Sequence, residues 1–239
     1  GKLTPLDEES RYAYRLGIDD DLKFRQNNKT YQEISFGQLG LKFSGEEYIF
    51  QISEEGRLFA GNYLKNLGVD VNSSGPTIGL NTGSGPRFAG KKLPIESYVF
   101  LAEQIYKQTS HPAILLGGEA EVERNLKIKN LSKAPVVNAG SHSLEKFAGI
   151  VSFCDAVITG DTIAMHVAIA AKVPVVAFFA STCAAEIELY GRGHKVISSI
   201  ACAPCYKKIC PINEQCMKDI RPETLLALAI NLSKRRVLS

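Results

Sequence analysis

No apolar run in this 239-residue chain approaches the roughly 20 residues that a membrane-spanning helix needs. The opening Gly1-Lys-Leu-Thr-Pro5 leads into charged sequence, not into an apolar segment, so no secretory leader is read there and a cytoplasmic location is expected. Neither sign of charge is in large excess. The 28 Lys and Arg face 25 Asp and Glu, and a formal +3 offers a polyanion such as nucleic acid little to hold. Two phosphate-binding signatures are missing as well. The loop from Asn81 to Lys92 fails GxxxxGK[ST], because Gly85 and Gly90-Lys91 are followed by Lys92, and it fails GxGxxG, because Phe88 stands at the third glycine. These gaps argue against a P-loop nucleotide hydrolase and against a nicotinamide-dependent oxidoreductase.

What is present is ordinary globular composition, 45% hydrophobic and 22% charged, enough for one large domain or two small ones. Residues 1–54 are polar and poorly periodic. Asn27–Thr30 reads as a turn, Tyr31–Leu39 as a helix ending at Gly40, and Tyr48–Ile52 as a short strand. Glu54–Leu67 has helical spacing with Gly68 at its end. Asn72-Ser-Ser-Gly-Pro76 is the best linker, and it divides the chain into residues 1–76 and 77–239.

Beyond the linker the pattern is regular. Strands are expected at Thr77–Asn81, Ala113–Leu116, Pro135–Asn138, Asp155–Thr159, Val175–Phe179 and Lys195–Ser198. Between them lie helical segments: one opened by Pro94, one over Ala120–Lys127, one capped by Ser143 and carrying Leu144, Phe147, Ala148 and Val151, and one after Thr162; Pro222–Lys234 closes the chain. Alternation of this kind is the mark of an α/β fold with a doubly wound parallel sheet.

The most informative unit is Val157–Ala180: strand, polar turn, helix, strand. Gly160, Asp161 and Thr162 break the strand and offer cap oxygens, Lys172 sits at the helix end, and Pro174 bars continuation. A helix N-terminus at the carboxyl end of a parallel strand is where open α/β sheets take ligands. Asp161, Thr162 and His166 fall there, as helix cap and packing residues or as ligand contacts. The loop Asn81–Lys92 reads either as a backbone cradle with basic residues for phosphate or as a surface loop with solvated lysines. The acids of Gly117-Gly-Glu-Ala-Glu121 read as acceptors for ribose hydroxyls or as first-turn complements to a helix dipole. Cys202, Cys205, Cys210 and Cys216 are spaced as a metal site or as a compact loop of reduced thiols, and they lack the paired C-x-x-C of a zinc ribbon.

Four of these pieces, in this order, resemble the heptosyltransferase family (glycosyltransferase family 9), inverting enzymes of GT-B architecture. Asn81-Thr-Gly-Ser-Gly85 with Lys91-Lys-Leu-Pro94 is similar to N-x-G-A-G…K-x-W-P. Leu116-Gly-Gly-Glu-Ala-Glu121 is similar to G-G-x-x-E, and Asp161-Thr-Ile-Ala-Met-His166 to D-[ST]-G-x-M-H. Cys202-Ala-Pro-Cys205, Cys210-Pro211 and Cys216-Met217 resemble the tail C-x-P-C…C-P…C-M.

The resemblance implies a Rossmann-like donor-binding domain over residues 77–239, preceded by the end of a truncated acceptor-side domain over residues 1–76. It implies a nucleotide-sugar donor, in the first instance ADP-heptose, and a lipopolysaccharide-type glycan acceptor at the inner face of the inner membrane. Thr82 and Gly83 would approach the phosphates, and Lys91 would pair with the diphosphate. Glu121, or Glu119 in a shifted register, would bind ribose, Asp161 would lie near the sugar, and Thr162 with the following amides would hold the diphosphate while His166 supports the turn. No metal or other cofactor is implied.

Three departures qualify it. Ile163 replaces the family glycine and crowds a phosphate approach. Leu93 replaces a tryptophan. No counterpart of the family's catalytic acid is found, so the chain by itself is expected to bind donor and to turn over poorly. A non-catalytic nucleotide-sugar binding module is the alternative expectation.

Overall fold

Near-continuous Val, Ile, Leu and Ala runs suit strands covered on both faces, and the structure uses them that way. In a computed structural model describing residues 4–70, 75–85 and 91–237, five of these runs and a more polar sixth segment pair. They are Ile78–Asn81 (β1), Ala113–Leu116 (β2), Val136–Asn138 (β3), Ala156–Gly160 (β4), Val175–Phe179 (β5) and Gly193–Ile197 (β6). All pairs are parallel, in the order β3-β2-β1-β4-β5-β6. The order reverses between β1 and β4, the switch point of a doubly wound, Rossmann-like sheet.

Nine α-helices accompany the sheet among the described residues: Glu8–Leu16 (α1), Tyr31–Gln38 (α2), Glu54–Asn66 (α3), Ile95–Thr109 (α4), Val122–Leu131 (α5), Leu144–Ser152 (α6), Ile163–Ala170 (α7), Gln215–Asp219 (α8) and Pro222–Val237 (α9). The two-residue alternation of strand side chains sorts them into two cores. Ile78, Leu80, Ala113, Leu115, Ile158, Val176 and Phe178 face Tyr98, Leu101 and Ile105 of α4 and Leu225 and Ala229 of α9. Ile114, Leu116, Val157, Val175, Ala177 and Phe179 face Ala60 and Leu64 of α3, Ala148 and Val151 of α6, and Met165 and Ala168 of α7. Gly149 lets α3 and α6 touch backbone to backbone: a Cβ there would lie 2.3 Å from the Gly56 carbonyl oxygen.

The strand and helix expectations beyond residue 77 hold, with small shifts. A 3-10 turn over Glu119–Glu121 precedes α5, so that helix starts at Val122 and not at Ala120. Ser143 occupies the N-cap of α6 without bonding through its side chain, and Leu144 remains 53% exposed. α7 stops at Ala170, and Lys172 lies beyond it in left-handed backbone (φ 57°), where Val173 N–H closes onto the Ala168 carbonyl. Within the proposed linker and the glycine-rich loop, Asn72–Ser74 and Pro86–Gly90 lie outside the described residues.

One expectation fails before residue 77. Tyr48–Ile52 is not a strand. It alternates as one, with Tyr48 and Phe50 packed on the core, Ile52 buried and Ile49 fully exposed, but no neighbouring strand bonds to it. The polar stretch before residue 27 also forms α1 and a π-helical turn over Leu22–Gln26, around a small core of Leu16, Leu22 and Ile34. These segments lean on the sheet domain. Arg25 donates to the carbonyls of Ala201 and Ala203 (2.7 and 3.0 Å), Phe24 stacks on Tyr206 (5.1 Å), and Arg192 grips Glu47 with both terminal nitrogens (2.7 and 2.6 Å).

Candidate active site

The loops that follow β1, β2, β3 and β4 enclose a cavity of about 370 Å³. It is lined from β1 by Asn81 and Gly83, from β2 by Gly117, Gly118 and Glu121, from the β3 side by His142, Leu144 and Phe147, and from β4 and α7 by Thr162, Ile163 and Ala164.

Asn81 is the hub, an importance that the sequence reading did not assign to it. It is 3% exposed. Its Nδ2 donates to Gly83 O (3.0 Å), Thr159 Oγ1 (3.1 Å) and Thr162 Oγ1 (3.1 Å), and its carbonyl accepts from the Tyr98 hydroxyl (2.9 Å). One amide therefore ties the β1 loop to the β4 loop across the switch point. It also changes the expected capping. Thr162 is the N-cap of α7, yet its hydroxyl is engaged by Asn81 and Thr159 and caps nothing. The helix starts without a side-chain cap, with its first residues Ile163 and Ala164 on the cavity wall.

Glu121 is 6% exposed and wedged between glycines. A Cβ on Gly83 would lie 2.6 Å from its Cδ, and one on Gly117 would lie 2.8 Å from its Cβ. Gly83 is thus required by the bulk of the Glu121 carboxylate and Gly117 by the Glu121 Cβ. Oε2 accepts from Gly118 N–H at 3.0 Å. Oε1 is buried with no hydrogen-bond partner among the described residues, and Lys92 Nζ stands 3.7 Å away.

Next to the cavity lies a charged group. Lys91 Nζ donates to Asp161 Oδ2 (2.9 Å) and to the Asp161 carbonyl (3.0 Å). His166 Nε2 is 4.0 Å from Asp161 Oδ1, and Nδ1 is 3.3 Å from the Tyr48 hydroxyl. Burial holds the His166 pKa below its ordinary value. Lys91 adds to that, and the Asp161 charge opposes it.

Of the expected site residues, Gly83, Glu121, Thr162 and Ile163 line the cavity, and Lys91, Asp161 and His166 form the adjoining group. Ile163 is 70% exposed and lines the cavity with Thr162 and Ala164. Thr82 is placed differently from expectation. It is fully buried, its hydroxyl donating to Asn125 Oδ1 (2.5 Å) and its N–H to Leu116 O (3.1 Å), and it points into the fold. Glu119 is absent from the cavity lining. His142 lay outside any motif, and Leu144 and Phe147 were read only as residues of the helix capped by Ser143. Cys202 is exposed, Cys205 and Cys210 are half-buried and Cys216 is buried. The Cys216 thiol pKa is raised by burial first and then by the other three sulfurs. Among the described residues no three His, Cys, Asp or Glu side chains are placed to hold a metal ion.

Fold and site together define an α/β protein with a cavity at the carboxyl edge of a parallel sheet, over the switch point, where sheets of this kind take ligands. The particular family follows from comparison. Residues 12–215 match glycosyltransferase family 9 (heptosyltransferase), and the chain belongs to that family. It is 31% identical over 172 residues to lipooligosaccharide heptosyltransferase 2 of Campylobacter jejuni subsp. jejuni serotype O:2, covering 66% of this chain and 51% of that protein. The chain thus spans about half the length of the curated relatives it matches.

Solved structures agree in fold. The glycosyl transferase family 9 protein of Veillonella parvula superposes with TM-score 0.69 at 21% identity, over 89% of this chain and 62% of that one. E. coli ADP-heptose lps heptosyltransferase II gives 0.60 at 22%, over 78% and 53%. The E. coli heptosyltransferase WaaC with ADP gives 0.57 at 18%, over 84% and 54%. The parallel sheet is accordingly of the GT-B kind. Among the described residues no helix is long and apolar enough to cross a membrane.

Proposed function

We propose that this cavity binds the nucleoside diphosphate of an ADP-linked heptose or similar sugar, and that the protein transfers the sugar with inversion to a hydroxyl of a lipopolysaccharide-type glycan. The carrying observation is Glu121, a carboxylate 6% exposed in the lining of a glycine-rich cavity, whose buried Oε1 has no hydrogen-bond donor among the described residues. A ribose hydroxyl is a donor of the right size and polarity for it. The diphosphate then lies toward the uncapped amides of α7 and Lys91, where cation and helix dipole meet the charge that develops as it departs. Asp161 sits beside the sugar, with His166 supporting the turn.

In the reaction the acceptor oxygen bonds to the anomeric carbon as the bond from that carbon to the diphosphate oxygen breaks. The acceptor proton passes to a base that we assign to the N-terminal, acceptor-side part of the enzyme. Positive charge comes from the protein, so the proposal includes no divalent cation. Residues 77–239 act as the donor domain, with residues 1–76 as the end of an acceptor-side domain, and the work is done on the cytoplasmic face of the inner membrane.

Calorimetric titration with ADP, with UDP and NAD as controls, tests the reading. ADP binding that weakens at least tenfold in Glu121→Ala and in Lys91→Ala is expected, on about 1.5–3 kcal/mol per charge-assisted hydrogen bond. UDP binding without ADP binding would replace the nucleotide. Silence toward both would overturn the site.

A further inference from the structure

Lys92 borders two concavities. Its Nζ stands 3.7 Å from Glu121 Oε1 at the cavity already described. It also lines a separate cleft of about 280 Å³, enclosed by residues 92–94, the first turn of α5 and residues 213–218 around α8. The donor reading makes no use of this cleft.

Its apolar side is Leu93 and Met217, which are 1% and 2% exposed. Leu93 stands where the family motif has tryptophan, and a leucine fills less of such a space than an indole does.

The polar side is dominated by positive charge. Lys92, Arg124 and Lys218 line the cleft, against one carboxylate among the described residues, that of Glu214. Arg124 is fixed in place. Its Nη2 donates to the Leu93 carbonyl, and its guanidinium lies over the Tyr98 ring, 5.5 Å from the centroid. Its Nε is buried and has no hydrogen-bond acceptor among the described residues. A guanidinium does not shed its proton in a protein, so that donor persists at every working pH. Leaving a buried charged donor unmet is costly, and an acceptor supplied by a ligand removes the cost.

The donor set selects the ligand. A guanidinium flanked by two ammonium groups suits the oxygens of a phosphate, which carries close to two negative charges near neutrality. The excess of cations over Glu214 matches that charge. A neutral ligand would leave the cations uncompensated, and a cleft of this volume does not hold a polymer. Leu93 and Met217 offer an apolar surface to the carbon side of a small ester.

We propose that this cleft binds a phosphate group, free or as a small phosphomonoester, at a site separate from the diphosphate position beside α7. The proposal does not rest on the donor reading.

The test is amide chemical-shift mapping of the chain at about 0.15 M salt, where attraction to exposed lysines alone is screened. Inorganic phosphate and glycerol 3-phosphate are titrated separately, each with and without ADP. Saturable shifts at residues 92–94, Arg124 and residues 213–218 are expected, with ADP present or absent. Lys218→Glu, at an exposed position, should weaken phosphate binding at least about tenfold and leave ADP affinity within about twofold. Leu93→Trp should abolish phosphate binding by filling the cleft. Tighter binding of glycerol 3-phosphate identifies an ester as the ligand, and equal or weaker binding identifies free phosphate. Absence of saturable shifts up to about 20 mM, shifts confined to residues 160–165, or undiminished binding by Lys218→Glu overturns the proposal. Phosphate binding at the cleft with no ADP binding supports this site and defeats the donor reading instead.

Discussion

Gly83→Ala is the sharpest perturbation of the proposed site. Gly83 does not adopt a positive φ, so an alanine is opposed by space alone. Its methyl would stand 2.6 Å from Glu121 Cδ, 2.8 Å from Oε2 and 2.9 Å from Oε1. These atoms end a flexible side chain, so the backbone stays and the carboxylate swings away. Gly117 limits where it goes, because the Glu121 Cβ already rests against that backbone. Swinging breaks the 3.0 Å bond from Gly118 N–H and carries Oε1 out of the ribose position.

A hydrogen bond to a charged acceptor contributes about 1.5–3 kcal/mol, and the nucleotide loses one such bond, so ADP should bind about 10- to 150-fold more weakly. Loss of the Gly118 bond should lower Tm by about 3–12 °C for a chain of this size. Calorimetry and thermal unfolding of Gly83→Ala, with Glu121→Gln as the size-matched comparison, measure both. An alanine variant that binds ADP within about twofold of the unaltered chain would refute the wedge and the role assigned to Glu121.

Other outcomes follow from the same contacts. Asn81→Leu removes three donated bonds, two of them across the switch point, and should lower stability by about 2–4 kcal/mol in urea unfolding; a change below about 1 kcal/mol would deny Asn81 its role as hub. His166 has a folded pKa below its ordinary 6.5, so its contribution to stability is complete above that pH and is lost as pH falls through the lower folded value. Stability should therefore fall as the solution is acidified below 6.5, and that fall should shrink in His166→Asn; equal pH dependence in the two proteins would contradict it. Gly149→Ala places a methyl 2.3 Å from Gly56 O and should cost at least about 2 kcal/mol by forcing α3 from α6, which thermal unfolding would show directly.

Much of this protein was legible in one dimension. Strands β1 to β5 are short apolar runs closed by polar or glycine-rich clusters, and the longer helices after residue 77 show three- and four-residue spacing, because a strand buried on both faces and a helix buried on one require those patterns locally. The motifs marked the loops that converge, since ligands of such a sheet lie at the carboxyl ends of its strands.

The identity of the partners within those loops was not legible. Asn81 meets Thr162 across 81 positions, and Thr82 meets Asn125 across 43. Nothing in the local sequence distinguishes a threonine that faces a ligand from one that turns inward, or an N-cap hydroxyl that caps from one drawn off by an amide. Gly83 reads as part of a backbone cradle and Gly117 as part of the loop after β2, and only the fold shows that Glu121 needs their space. Tyr48–Ile52 has the alternation of a strand, but a strand also needs an edge to pair with, and the tertiary structure supplies none. Local pattern depends on which faces are buried, and the sequence carries that by itself. Hydrogen bonds and close packing depend on where the backbone of other segments comes to lie, and the tertiary structure alone decides that.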